Sequence, residues 1–300
     1  MHPIMNLTSR RSLPLGLCLA SLTLGAGLTL RAQNNIPEEC KTGGFAIGCI
    51  VYTFDHFSLF EALEMTAQAG GKVVELAAKT RLSKEEPEVA FDYHASPEVI
   101  QKVKDKLAQC HLKAANYAVI PFPSGEAEAR QLFAFAKTMG VRAITTESPE
   151  ALDLMEKLVK EYDIMIALHD HPRRPDDASY RMWDPNYVLS LVKDRDSRIG
   201  ACADTGHWAR SGLKPVECLR LLKGRVVSSH LKDLNQSGPG AHDVPYGTGV
   251  CDVPAILEEL KAQGFQGNLS IEYEYNWDHS LPEVAQCIGF VRGYGAARKW

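Results

Sequence analysis

From Phe45 onward the chain repeats one unit, a short apolar run followed by an amphipathic stretch, at roughly thirty-residue spacing. The apolar runs predict strands at Phe45–Thr53, Lys72–Ala77, Lys113–Ile120, Ala143–Glu147, Ile164–His169, Ile199–Asp204, Val226–Leu231 and Asn268–Tyr273. Between them Leu59–Ala69, Pro97–Cys110, Ala127–Met139, Ala151–Glu161, Pro185–Lys193, Pro215–Leu222 and Val253–Gln263 carry helical periodicity. Gly70, Gly140, Gly224 and Gly264 stand where a helix returns to a strand, a position that favours a left-handed residue. Ser96-Pro97 and Asp184-Pro185 supply helix starts. Strands separated by helices pair in parallel. Eight of them fit either an open doubly wound sheet or a closed (β/α)8 barrel. No G-x-G-x-x-G follows an early strand, so the dinucleotide-binding open sheet lacks its fingerprint. Strand number favours the barrel.

The segment before the repeat is expected to lie outside the fold. Arg10 and Arg11 precede an apolar run from Leu13 to Leu30, and Leu30-Arg31-Ala32 fits a cleavage site before Gln33. Ser9-Arg10-Arg11-Ser12-Leu13 also has the form of a twin-arginine signal. A permanent membrane anchor is the competing reading, since the run is about long enough to span. Pro14, Gly16, Gly25 and Gly27 argue for the signal. The expected organisation is a cleavable export signal over 1–32, a polar leader over 33–44 and one barrel over 45–296, with the mature protein in the periplasm or outside the cell. After cleavage no stable membrane insertion is expected. One of the eight cysteines, Cys18, leaves with the signal, and no C-x-x-C pair exists, which argues against a cysteine zinc site. A net charge of −4 without a basic stripe excludes a phosphate-backbone binder, so no nucleic-acid partner is expected.

The chemistry concentrates at strand ends. Glu147 ends the fourth predicted strand, His169 the fifth (with His171 two residues on), Asp204 the sixth (with His207 and Trp208 just beyond), His230 the seventh and Glu272 the eighth. In a closed barrel those ends converge on one face, where active sites are built. Burying so many ionisable groups without a ligand is costly. Carboxylates with one or two imidazoles and no thiolate suit Mn²⁺ best, with Mg²⁺, Co²⁺ and Zn²⁺ compatible. The expected shell is Glu147, Asp204, His230 and Glu272, one residue from each of four strands.

From about Phe45 to Tyr294 the chain resembles the xylose isomerase-like TIM-barrel superfamily. The pieces that carry the resemblance are Asp204-Thr205-Gly206-His207, His230-Leu231-Lys232-Asp233, Pro245-Tyr246-Gly247-Thr248-Gly249 with Asp252-Val253-Pro254-Ala255-Ile256-Leu257, and Glu272. That group includes sugar-phosphate isomerases and epimerases, ketose epimerases and inosose dehydratases, with an endonuclease branch at a distance. The resemblance implies Asp204, His230 and Glu272 as metal ligands and His207 close to metal or substrate. One position departs from the pattern. The family's fifth strand usually ends in glutamate within Glu-Asn-His, whereas this chain has His169-Asp170-His171. Glu147 is then expected to supply the missing carboxylate, leaving His169 as the proton-transfer base, with a place as ligand in a modified shell as the alternative.

Each residue has a plainer reading beside the functional one. Glu147 suits the start of a helix near Pro149, and one of His169 and His171 suits a hydrogen-bonded wall. Lys232 and Glu274, two residues beyond ligands on the same faces, fit either substrate contact or a structural ion pair. Glu75, at the end of the second strand, fits either the pocket or a salt bridge. Trp208 is an expected stacking surface for a sugar ring, and His171 and His207 are expected substrate contacts. Proton abstraction next to a carbonyl, with His169, Glu147 and Glu272 as the acid/base candidates, is the chemistry such a set supports. The outcome is isomerisation or epimerisation; the alternative is a lyase that eliminates a β-oxygen from a keto-sugar or 3-keto-glycoside. A metal-dependent sugar-binding barrel without catalysis is the third reading. Export and the absence of an Arg/Lys-lined glycine turn argue for a non-phosphorylated sugar. Homo-oligomerisation is left open.

Overall fold

The computed structural model describes residues 35–300, so the expected export signal lies outside the described residues. Eight parallel strands close into a barrel: β1 (Ala46–Ile50), β2 (Val73–Ala77), β5 (Lys113–Ile120), β6 (Ala143–Thr146), β7 (Met165–His169), β8 (Ile199–Asp204), β9 (Val226–Leu231) and β10 (Asn268–Ile271). β1 pairs with β2 on one side and β10 on the other. A two-stranded hairpin, β3 (Thr80–Arg81) and β4 (Ala90–Phe91), interrupts the repeat after β2. No sequence signal pointed to it.

The helices form where their caps begin. Ser58 closes a capping box with Glu61 at the start of α1 (Leu59–Gln68). Ser96, with Pro97 behind it, starts α2 (Pro97–Gln109). α3 (Glu126–Met139) ends on Gly140 at φ 69°, and α4 (Leu152–Tyr162) follows the next strand. Asp184 caps α5 (Pro185–Val192). α6 (Thr205–Arg210) starts directly from β8, and α7 (Pro215–Leu221), α8 (Val253–Ala262) and α9 (Leu281–Arg298) complete the ring. Among the described residues no helix is long and apolar enough to cross a membrane.

Two boundaries differ from the sequence reading for a common reason. β1 stops at Ile50 and continues as a 3-10 turn over Val51–Phe54, and β10 stops at Ile271. The Thr53 hydroxyl donates to the Ile271 carbonyl (2.8 Å) and accepts from the Tyr273 N–H (3.2 Å), replacing ladder bonds that the longer strands would have made. Glu272 is thereby turned into the barrel mouth.

The two ends of the barrel are filled differently. At the base, Ile36, Ala46, Val73 and Ala115 form a small apolar plug. Close strand approach there depends on glycine: a Cβ at Gly48 would lie 1.7 Å from the Val73 carbonyl oxygen. The large core lies between strands and helices and takes in Trp208, Phe133, Leu63 and Ile271. The seven described cysteines are all free, and five of them are buried.

Candidate metal centre at the barrel mouth

Alternation along the strands sets which side chains enter the barrel. On β8, Asp204 follows Cys202 at period two. Its Cα is in register with His230 of β9, and Ser270 of β10 is in register with His230 from the other side. Asp204 has two tasks. One carboxylate oxygen accepts from the His207 N–H (2.7 Å) and caps α6, while Oδ2 faces the barrel axis. The Asp170 carboxylate accepts from the Asp204 backbone N–H (2.8 Å) and fixes the end of β8.

Four side chains converge. Ligand atoms of His169, Asp204, His230 and Glu272 all lie within 4.8 Å of one another, and all four residues are buried. His230 Nδ1 is 3.2 Å from Glu272 Oε2, and His169 Nε2 is 3.7 Å from Asp204 Oδ2. His169 Nε2 and Asp204 Oδ2 are buried without a hydrogen-bond partner, although the Lys232 ammonium is in ion contact with Asp204 at 2.9 Å. Native interiors leave few such atoms unpaired, and an unpaired pair facing one point fits a cation. Charge balance agrees. Asp204, Glu272 and Glu274 meet two permanent cations, Lys232 and Arg210, while burial pushes the Asp243 carboxyl beside Arg210 up to about 7. The residues present therefore fit a divalent ion.

The set that converges is not the expected one, because His169 occupies the place given to Glu147. β6 ends at Thr146, so Glu147 rises on the rim, where its side chain is 20% exposed. There it accepts from His169 Nδ1 (3.0 Å), contacts His171 Nδ1, and accepts from the Tyr180 hydroxyl (3.3 Å). Glu147, His169 and His171 form a second, rim-side group of potential ligands, and His207, Glu272 and Glu274 a third. Burial pushes the Glu147 carboxyl up, but the hydrogen bonds from His169 and His171 outweigh it and hold the group at about 2. Burial disfavours a charged His169, yet Asp204 and Glu147 raise it to about 10. Without an ion, a proton on His169 and the ammonium of Lys232 answer the carboxylates.

The remaining candidates separate into wall, support and core. His171 lines a cavity of about 310 Å³ together with His169, Glu272, Glu274 and Tyr52, facing a small apolar side made by Ile50, Ala77, Ala78, Ala118 and Val119. Lys232 is fully buried, with Nζ 2.7 Å from Glu272 and 2.9 Å from Glu274. His207 is buried beside it, its ring stacked on His171 at 4.7 Å between centroids. Burial lowers the His207 imidazole, and the Lys232 ammonium adds to that effect against the pull of Asp204. Glu75 and Trp208 do not reach the cavity. Glu75 is fully buried beneath the cluster, and α6 turns Trp208 into the core at 1% exposure.

Five contributing residues escaped the sequence reading. Asp170 lies between the two singled-out histidines and was legible by position alone. Tyr180 bridges the His171 N–H and Glu147 from a loop with no periodicity to mark it. Asp243 and Arg210 pair with each other at 3.0 Å, and Arg210 also reaches Glu274. Asp233 links two quoted motifs, since its carboxylate accepts from the N–H groups of Leu234, Gly247, Gly249 and Cys251 at 2.9–3.1 Å.

The pattern of the family described as xylose isomerase-like TIM barrel matches residues 59–292. The rhizopine catabolism protein MocC of Rhizobium meliloti is 31% identical, in a match that takes in 43% of this chain and 42% of that protein's length. An uncharacterised protein of Parabacteroides distasonis has a crystal structure 29% identical to this chain. It covers 83% of this chain and 98% of its own, with a TM-score of 0.66. A D-tagatose 3-epimerase-like protein shares the fold at 18% identity and TM-score 0.64, over 84% of this chain and 98% of its own.

Proposed function

Because the chain belongs to the xylose isomerase-like TIM-barrel family, we propose that it is a divalent-metal-dependent enzyme of the sugar isomerase or epimerase kind, acting on a non-phosphorylated sugar or keto-sugar. The observation that carries this reading is the buried convergence of His169, Asp204, His230 and Glu272 beside a cavity walled by His171. These four residues would hold the ion, Mn²⁺ being the best match to two imidazoles and two carboxylates. A bound ion would supply Lewis acidity for negative charge developing on a carbonyl oxygen.

The chain's own residues then divide the work. With His169 in the shell, proton transfer at the carbon next to the carbonyl falls to His171, whose side chain is 41% exposed and faces the cavity. Glu147 accepts at His171 Nδ1 and leaves Nε2 to take up the proton, the orienting role a carboxylate plays behind a catalytic imidazole. Tyr180 holds the His171 backbone and Glu147 together. Glu274, tied to Lys232 and Arg210, is an acceptor for a sugar hydroxyl.

A second reading, β-elimination from a keto-glycoside, is favoured by the apolar side of the cavity and by Tyr52, 40% exposed at its edge. Those surfaces suit a leaving group better than a polyhydroxylated carbon. The run Ser9 to Ala32 supports export, and with it an unphosphorylated substrate. Incubation of the metal-loaded enzyme with sugars and keto-glycosides in deuterated water, followed by NMR, tests the reading. Deuterium at a carbon next to a carbonyl in an intact sugar is expected; release of water or an aglycone selects the lyase, and no exchange with any member of either class overturns both.

A further inference from the structure

Beneath the cluster lies a carboxylate to which the proposed chemistry gives no task. Glu75 points from β2 into the barrel and is fully buried. Its Oε1 accepts from the Thr145 hydroxyl (3.0 Å), and its Oε2 accepts from the Ser270 hydroxyl (2.5 Å) and the Asn268 amide (3.4 Å). The Asn268 amide also donates to the Ser270 hydroxyl (2.8 Å), which leaves the Ser270 proton directed at Glu75. His230 Nε2 lies 3.3 Å from the same Oε2. Residues from β2, β6, β9 and β10 thus meet on one buried anion. A layer of apolar side chains would fill this space without the desolvation cost of a charge.

The two nitrogens of His230 face opposite ways. Nδ1 looks into the cluster, 3.2 Å from Glu272 and 3.9 Å from Asp204. Nε2 looks at Glu75 Oε2 at 3.3 Å, and the Cys202 thiol also lies against the ring. A carboxylate can only accept, so the proton of a neutral ring facing Glu75 belongs on Nε2, leaving the Nδ1 lone pair for the cluster.

We propose that Glu75 is a positioning residue that holds His230 as the Nε2–H tautomer and aims Nδ1 at the divalent ion, itself held in place by Thr145, Ser270 and Asn268. The inference rests on the shell proposed above. Outer carboxylates of this kind typically change metal affinity by roughly 10–100-fold when removed.

The test needs no substrate. Metal-free wild-type protein and Glu75→Gln are titrated calorimetrically with Mn²⁺, and the His230 ring is assigned by ¹⁵N NMR without metal, at a pH alkaline enough to leave the ring neutral. The wild type is expected to bind one ion and to show the Nε2–H form. Glu75→Gln is expected to weaken binding by roughly 10–100-fold and to shift the ring toward Nδ1–H, since the new amide can turn a donor to Nε2. A folded Glu75→Gln with wild-type affinity and tautomer overturns the inference while leaving the metal reading intact. A wild type that takes up no divalent ion overturns both. Should Glu75→Gln fail to fold, Thr145→Val with Ser270→Ala keeps the charge but removes two of its clamps. That pair is expected to weaken binding by roughly threefold to tenfold, and unchanged affinity overturns the inference.

Discussion

The base and the mouth of this barrel are built from the same eight strands and obey opposite rules. At the base, alanines, a valine and close glycine contacts bring the strands together, and the buried Arg142 guanidinium donates to the Val227 carbonyl. At the mouth, at or just past the ends of β8, β9 and β10, Asp204, His230, Lys232 and Glu272 are buried with their charges. A chain selected for stability alone would have continued the small apolar pattern upward, because replacing buried ions with packed hydrophobes is often neutral or stabilising. The contrast locates function without reference to any relative. The base is where side chains satisfy each other, and the mouth is where they are left needing something else.

Four substitutions, in three experiments, break or sharpen that contrast. The largest effect is expected from Asp204→Asn, which removes an unpaired oxygen from the cluster while retaining an acceptor for the cap on α6. Metal content measured by mass spectrometry should fall to a small fraction of one per chain, and turnover by roughly 10⁴ or more. The melting temperature should fall, because the buried Lys232 ammonium and the His169 ring lose a carboxylate partner. Stoichiometric metal in this variant would remove Asp204 from the ligand shell.

The next experiment divides the mouth itself. His171→Ala should lower kcat by roughly 10²–10⁴ with metal content unchanged, whereas His169→Ala should lose the metal. The reverse pattern, metal retained and kcat lost in His169→Ala, returns His169 to the role of base that the strand-end reading assigns it.

The smallest effect on chemistry should come from the base. Gly48→Ala drives a methyl into the Val73 carbonyl, where neither backbone can yield. It should cost roughly 3 kcal/mol and lower Tm by roughly 6–12 °C. Metal affinity of the folded fraction should be unaffected. A large loss of affinity there would mean that the two ends are mechanically coupled.

How much of this was legible depended on which rule the residues followed. Strands β5, β8 and β9 were readable to the residue, because β-branched or alanine-rich runs end at a polar group or a glycine return. α9 was missed because Gly289, Gly293 and Gly295 dilute its helical pattern. Gly295 is needed for packing, since a Cβ there would lie 2.4 Å from Gly43. α6 was hidden because Asp204 ends a strand and caps a helix at once. In the site, Asp204, His230 and Glu272 could be gathered from their places at the ends of predicted strands. The exchange of Glu147 for His169 could not, because alternation gives the face of a strand but not the height at which the strand stops. β6 is four residues long, and its end decides that Glu147 supports two imidazoles from the rim.

Asp233 has a wider consequence. Its carboxylate gathers four backbone N–H groups across residues 234–251, and Leu234 and Asp243 bridge the base of the excursion. Closing a long loop costs conformational entropy that grows with the logarithm of its length, and each internal tie divides that length. In polymer terms the segment is no longer one floppy ring but a few short ones, pinned at a single anion. The tip at 235–240 is largely exposed, held where the Asn235 N–H donates to the His242 carbonyl and the Gly238 N–H to the Ala209 carbonyl. The wall that carries Asp243 toward Arg210 therefore keeps its shape whatever that tip does. Sequence and length can drift at the tip, while the motif beside it stays fixed by one charge.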